Sequence, residues 1–270
     1  MRTGLVKSAL AALALAAAFV MASPGANAQE MDSRLYRITK SGTLRVCQYP
    51  LYYSISYRNP ATGEIEGIDA DLSKELAKEL GATLEIVETS FGTFIADLQA
   101  DKCDIGMFGV GATLQRAQAV AFSHPYLKTS IYAVVKKDGP IKTWADVDKP
   151  GIRVVTTLGS YIEPFMRDYL KNAEFSAIAP PATREGELMA NRADVVMTDY
   201  PTAIKVGDEF DWAAIVEPDE KLRITPYAYV VPQGDQIWLN YVNLFVDTIK
   251  LDGRLETYAE KNKLGPIVAP

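Results

Sequence analysis

Between Leu44 and Phe108 the chain alternates short apolar runs with amphipathic stretches. Leu44-Arg-Val-Cys47, Thr83-Leu-Glu-Ile-Val-Glu88 and Cys103-Asp-Ile-Gly-Met-Phe108 read as strands. Asp69 to Leu80 and Phe91 to Ala100 read as the helices between them. In the first helix Leu72, Leu76 and Leu80 fall every fourth residue, Ala77 lies on the same side, and Gly81 follows as a stop signal. In the second, Phe94, Ile95 and Leu98 point inward. A strand–helix–strand–helix–strand order means parallel pairing, because each helix carries the chain back across the sheet.

The pattern restarts after Asp138-Gly-Pro140. Ile152-Arg-Val-Val-Thr156 is a strand, Gly159-Ser160 open a helix to about Leu170, Arg184 to Ala190 is helical, and Ala193-Asp-Val-Val-Met-Thr198 is a strand ending at Asp199. Thr225 to Val231 is extended, and helices over Asp235–Asp252 and Arg254–Asn262 have no third sheet to cover. The economical solution is an α/β chain that leaves one lobe, builds a second, and returns. Lobe 1 takes residues 29–134 and 229–270, and lobe 2 takes 135–228. Each lobe is a mostly parallel sheet flanked by helices. A two-strand hinge crosses near Ile131–Lys137 and near Tyr227–Val231. Two such lobes make a clamp, with the ligand beyond the C-terminal strand ends, at helix N-termini.

Residues 1–28 read as a cleavable signal peptide: Arg2 and Lys7, an apolar run from Ser8 to Ala22, and Ala26-Asn27-Ala28 before Gln29. The run is about 15 residues, short of the ~20 that span a bilayer. Removing Arg2 and Lys7 takes the formal net charge from −6 to −8. An acidic chain argues against nucleic acid or anionic lipid as partner. His124 is the sole histidine, which rules out a His-rich metal site, and it reads as a surface turn. No metal and no cofactor is expected. The two cysteines, Cys47 and Cys103, would pair by the habit of an oxidising compartment. The sheet order disputes it: Cys47 ends one strand and Cys103 begins its neighbour, roughly 10 Å apart at ~3.3 Å per residue, beyond the ~7 Å a disulfide spans. Two free, buried thiols are expected.

The ordered set Gly42-Thr-Leu-Arg-Val46, Gly67-Ile-Asp-Ala-Asp-Leu72, Asp104 to Arg116 and Val120-Ala-Phe-Ser-His-Pro-Tyr126 resembles the periplasmic amino-acid-binding proteins of ABC importers (solute-binding protein family 3). Leu158-Gly-Ser-Tyr-Ile-Glu163, Ala193 to Asp199 and Asp252 to Tyr258 continue the resemblance, which covers nearly the whole mature chain. It implies a two-lobed, type II periplasmic-binding-protein-like fold, a periplasmic location, a monomer, and an ABC permease as partner. The ligand it implies is a small carboxylate, in most relatives an amino acid. Arg116 matches the arginine whose planar fork grips the ligand carboxylate. Gly111 and Thr113 would add donors, as would the N–H groups of Gly159 and Ser160. Asp199 matches the acid that pairs with the α-ammonium. Taken singly, Arg116 could be a solvated helix-start residue and Asp199 a helix cap before Pro201. Tyr52 matches an aromatic wall and Phe91 the apolar residue facing it; both also suit an ordinary core.

Four positions depart from the family pattern. Gly111 stands where Ser or Thr is common, Phe108 where a small or hydroxyl residue is, Tyr161 where Thr is, and Tyr49 where a polar residue is. They make the site more aromatic, which favours an aromatic or apolar ligand side chain or a non-amino-acid carboxylate. Ser33 to Arg45 also resembles the start of a periplasmic cyclohexadienyl (prephenate/arogenate) dehydratase on the same fold. Glu163 falls at the place of its catalytic acid, a residue also frequent in plain binding proteins. A third resemblance, in Leu44-Arg-Val-Cys47 and Cys103-Asp104, is to accessory binding proteins of periplasmic quinoprotein dehydrogenases.

Overall fold

Two five-stranded sheets of like order organise residues 33–270, the part of the chain that the computed structural model describes. The leader read over residues 1–28 lies outside the described residues. The first sheet runs β5 (Thr83–Glu88), β1 (Thr43–Gln48), β6 (Ile105–Gly106), β13 (Thr225–Pro232), β7 (Val120–Thr129). The second runs β10 (Glu174–Ile178), β9 (Arg153–Thr157), β11 (Val195–Asp199), β8 (Ile131–Lys136), β12 (Ala213–Val216). In each sheet the first three strands are parallel, the fourth runs against them and the fifth runs with them again. A small antiparallel sheet of β2 (Leu51–Tyr52), β3 (Ser56–Arg58) and β4 (Ile65–Glu66) stands apart. The first lobe carries helices α1 (Arg34–Ser41), α2 (Ile68–Glu79), α3 (Phe94–Gln99), α7 (Gln236–Leu251) and α8 (Arg254–Lys261). The second carries α4 (Ile162–Tyr169), α5 (Arg184–Met189) and α6 (Tyr200–Glu209).

The sheets exchange the chain at Ser130, between β7 and β8, and over residues 217–224, between β12 and β13. The segments read as crossings are therefore strands of one sheet each: β8 belongs to the second and β13 to the first.

The repeat is chemical as well as topological. In the first sheet Arg45 closes a fork on Asp104, donating from its backbone N (2.9 Å), Nε (3.2 Å) and Nη2 (2.7 Å). In the second, Arg153 does the same to Asp194 at 2.9, 2.9 and 2.8 Å. Each pair ties the second strand of its sheet's order to the turn that enters the third, central strand. Planar two-point contact is what the guanidinium supplies over lysine. Leu72 and Leu76 of α2 are fully buried, each worth about 1.5–3 kcal/mol of apolar transfer. Gly81 takes φ +61 just past α2, the left-handed turn that ends a helix at little cost for glycine alone. Trp238, Val242, Phe245 and Ile249 of α7 are buried, and the Trp238 indole donates to the Asp104 carbonyl at 2.9 Å.

The free-thiol expectation is corrected. Cys47 and Cys103 form a disulfide, with Cα atoms 5.6 Å apart. The ~10 Å estimate treats Cys103 as the first residue of an extended strand. β6 is only Ile105–Gly106, and residues 101–104 are turn and bend, so Cys103 does not lie three strand steps back along the sheet. His124 is in edge strand β7 rather than a turn; its Nδ1 lies 2.9 Å from Asp247 Oδ1. Pro125 is accommodated there because an edge strand can do without one N–H, and the β7–β13 register shifts beside it.

Candidate functional site

The loop after β6 brings Arg116 to the seam between the lobes. Thr113 Oγ1 accepts the Arg116 N–H at 3.2 Å, capping the single turn Arg116–Gln118. The guanidinium is buried, at 8% exposure. Nη1 donates to the Gly111 carbonyl at 2.8 Å and Nη2 to the Gly159 carbonyl, on the other lobe, at 2.9 Å. The Phe94 and Phe91 rings lie 5.3 and 5.7 Å from its central carbon, within cation–π range. No carboxylate among the described residues pairs with it. Burial pulls its pKa down to about 10, with Tyr227, Tyr161 and Tyr52 pulling the other way, so it stays charged at neutral pH. A buried cation held by carbonyls and rings is a place an anion would complete.

Beside it opens a cavity of about 670 Å³, lined by Phe91, Arg116, Ser160, Tyr161, Glu163 and Arg223 among others. The Ser160 Oγ atom is buried and meets no hydrogen-bond partner among the described residues. Gly159 and Ser160 are at the cavity, but their N–H groups are spent locally: Gly159 donates to Glu163 Oε2 at 2.7 Å and Ser160 to the Thr157 carbonyl at 3.2 Å. It is the Gly159 carbonyl, not its N–H, that Arg116 meets. Glu163 also accepts from Arg167 at 3.0 Å through its other oxygen.

Asp199 ends β11 and caps α6. Its Oδ1 accepts the Thr202 N–H at 3.4 Å, and its Oδ2 accepts from both the Tyr52 and Tyr227 hydroxyls. Those hydroxyls are 2.8 Å from each other. Burial first, and then the Asp199 charge, push both phenols well above their usual range, so they stay protonated as donors. Tyr52 packs edge-on against Phe91 at 5.6 Å. Phe108 is fully buried and lies behind Phe91 and Phe94, at 5.4 and 5.6 Å, away from the cavity. Gly111 bridges to Tyr227, and the Tyr161 ring fills the space its side chain would occupy. The fold thus gathers Arg116, Asp199, Gly111, Gly159, Ser160, Tyr52, Phe91 and Tyr161 at one seam; Thr113 caps a turn and Phe108 backs the wall.

Residues 44–264 match the family model of bacterial extracellular solute-binding proteins, family 3. This chain belongs to that family. Its relatives include cyclohexadienyl dehydratase of Pseudomonas aeruginosa, 32% identical over 92% of this chain and 91% of that one. The L-cystine-binding protein TcyJ of Escherichia coli K12 is 25% identical over 85% and 86% of the two chains. Among solved structures, the ancestral amino-acid-binding protein AncCDT-1, a precursor of cyclohexadienyl dehydratase, is 34% identical with a TM-score of 0.78, over 85% of this chain and 99% of that one.

Three residues of this family 3 protein's seam escape a reading of the sequence. Tyr227 sits mid-strand in an apolar run, where it reads as core. Arg223 lines the cavity from the segment between β12 and β13. Arg184 opens α5, donates to Thr198 Oγ1 at 3.0 Å, and lies 3.4 Å from Glu185. Burial works against its charge, but Glu185 and Asp199 outweigh that and raise its pKa. An arginine beside a glutamate at a helix start carries no sequence signal that separates it from a solvated pair. Among the described residues no group of three His, Cys, Asp or Glu side chains is placed to hold a metal ion.

Proposed function

We propose that this chain captures a small carboxylate, an amino acid or a close relative of one, between its two lobes. It delivers that ligand to an ABC permease, acting as a monomer in the periplasm. The observation that carries the reading is Arg116: a buried guanidinium at the lobe seam whose polar partners among the described residues are the Gly111 and Gly159 carbonyls. The unpartnered Ser160 Oγ beside the same cavity supports it, since a carboxylate would engage both. The amino-acid-binding relatives support it too.

The test is mass spectrometry of small molecules released when the purified protein is denatured. Wild type should release a carboxylate that Arg116→Ala, purified alongside, does not carry. A wild type that neither carries nor binds any carboxylate rules the reading out, and so does an Arg116→Ala protein that keeps the ligand.

A second reading is a dehydratase, favoured by the Pseudomonas aeruginosa relative and by Glu163 lining the cavity of Arg116. A general acid must offer a proton to the leaving group. Both Glu163 oxygens act here as acceptors, from Gly159 and Arg167, which favours binding without turnover. Incubation with prephenate separates the two: phenylpyruvate formed faster than the spontaneous rate would establish the enzyme.

A further inference from the structure

The two charged residues of the seam are in opposite states. Arg116 pairs with no carboxylate among the described residues, whereas three donors converge on Asp199. Tyr52 and Tyr227, both from the first lobe, donate to its Oδ2 across the seam, and the Thr202 N–H serves its Oδ1. Arg184 adds a buried positive charge, bonded to the adjacent Thr198 and drawn on electrostatically by Asp199. Two phenolic protons serve three oxygens in this cluster. Both hydroxyls reach Oδ2 of the carboxylate, and Tyr52 also donates to the Tyr227 hydroxyl at 2.8 Å, so the three oxygens close on one another.

We propose that this site selects carboxylates without an α-ammonium group, such as 2-oxo, 2-hydroxy or unsubstituted acids, and that Tyr52 and Tyr227 set the preference. The inference rests on the carboxylate-binding reading of Arg116 given above. The resemblance assigns the ligand cation to Asp199, and there the two hydroxyls already donate. An ammonium group is a donor only. To reach Oδ2 of Asp199 it must displace both phenols, and only one of their two protons then keeps an acceptor, Tyr52 donating to the Tyr227 hydroxyl. A polar group left buried and unpaired disfavours that complex. A ligand lacking the ammonium leaves the cluster as it stands and engages Arg116 and Ser160.

The experiment is calorimetric titration of the ligand-stripped full mature protein with acids in matched pairs that differ only in the α-amino group. The pairs are 3-phenylpropanoate and L-phenylalanine, 4-methylpentanoate and L-leucine, glutarate and L-glutamate, and 6-aminohexanoate and L-lysine. In any pair that binds, the member without the α-amino group should bind at least tenfold tighter. Arg116→Ala should weaken it at least thirtyfold. In Tyr52→Phe/Tyr227→Phe, Asp199 is released and the ratio should move at least tenfold toward the amino acid; the wild-type ratio stands as a test on its own if that variant does not fold. Binding that depends on Arg116 but favours the L-amino acid overturns the selectivity and leaves the carboxylate reading intact. No binding by any pair, or binding that Arg116→Ala does not weaken, overturns the carboxylate reading and the selectivity with it.

Discussion

Gly111 and Tyr161 are complementary: a Cβ on Gly111 would lie 2.9 Å from Tyr161 Cδ1 and 3.1 Å from Thr225 Cγ2. The two positions, each expected to depart from the family pattern, are thus in contact. A bulky ring on the second lobe takes the room that a hydroxyl side chain would have used on the first. Gly111→Ser alone should destabilise the protein by roughly 1–3 kcal/mol, the usual cost of overpacking. Gly111→Ser with Tyr161→Thr should recover at least ~1 kcal/mol of that in a double-mutant cycle. Urea midpoints of the four proteins give the answer; strictly additive effects would show the positions to be independent.

Arg116→Ala should separate ligand binding from folding. At a ligand concentration of about 100 Kd, wild type gains ~2.7 kcal/mol by linkage. At ~2–4 °C per kcal/mol for a domain of this size, the melting point rises about 5–11 °C. Loss of one partner of an enclosed charge pair costs ~2–5 kcal/mol of affinity, so the variant should lose nearly all of that rise. Without ligand, the variant loses two hydrogen bonds to carbonyls but also removes a buried unpaired charge. These effects offset, and its unliganded melting point should shift by less than about 4 °C. Binding within threefold of wild type would move the site elsewhere.

The disulfide between Cys47 and Cys103 closes a loop with a sequence separation of 56. Chain-entropy reasoning assigns such a cross-link about 4 kcal/mol. A maleimide in denaturant without reductant should titrate no thiols. Cys47→Ala/Cys103→Ala should melt about 8–16 °C lower than wild type. Two reactive thiols in the untreated protein would reverse the assignment.

The strand and helix order from Leu44 to Phe108 was legible because both periodicities are strong there, with Leu72 and Leu76 marking the buried face of α2. Strand length was not. Cys103 and Asp104 are apolar-run neighbours of Ile105, and nothing local says that the chain bends before β6. The crossings moved for a related reason: β8 and β13 are continuous extended runs, and only their partners reveal which sheet each joins. Arg116 and Asp199 could be named because the motifs around them resemble the family's; taken singly, neither stands out from a helix-start residue. Tyr227 could not, since its hydroxyl gains a role only from Asp199, which another strand delivers.

Asp69 should make stability fall as pH rises toward neutrality. It is fully buried and accepts from the Gly109 N–H (2.8 Å), Tyr126 Oη (2.5 Å) and Tyr229 Oη (3.2 Å). Burial pushes its pKa up to about 7, against the pull of those three hydrogen bonds. In the unfolded chain it titrates near ~3.9, so between the two values the native state holds a proton that the unfolded state has lost. Its favourable contribution is complete below ~3.9 and is lost as pH rises through about 7. Asp69→Asn removes this titration. The stability of wild type relative to the variant should therefore drop by roughly 2–3 kcal/mol from pH 5 to pH 8. Urea unfolding at the two pH values measures it, and parallel profiles would mean that Asp69 does not titrate in this range.

Gly159 should control closure without touching the ligand. It has φ +75, and a Cβ there would lie 2.8 Å from the Phe91 carbonyl carbon and the Gly92 nitrogen on the opposite lobe. Two backbones meet at this point, so the obstacle cannot move aside as a side chain could. Gly159→Ala should hold the lobes apart, part the Gly159 carbonyl from Arg116, and raise Kd at least tenfold. Wild type on two thin crossings should close on its ligand as a hinge. Its radius of gyration should fall on saturation toward the ~18 Å of a compact domain of this size. Small-angle scattering on both proteins decides the matter. The alanine variant should stay at the larger radius at ligand concentrations that close wild type. If the variant closes as tightly as wild type, the approach of Gly159 to Phe91 does not limit the motion. If wild type itself does not contract at proven saturation, the lobes do not clamp.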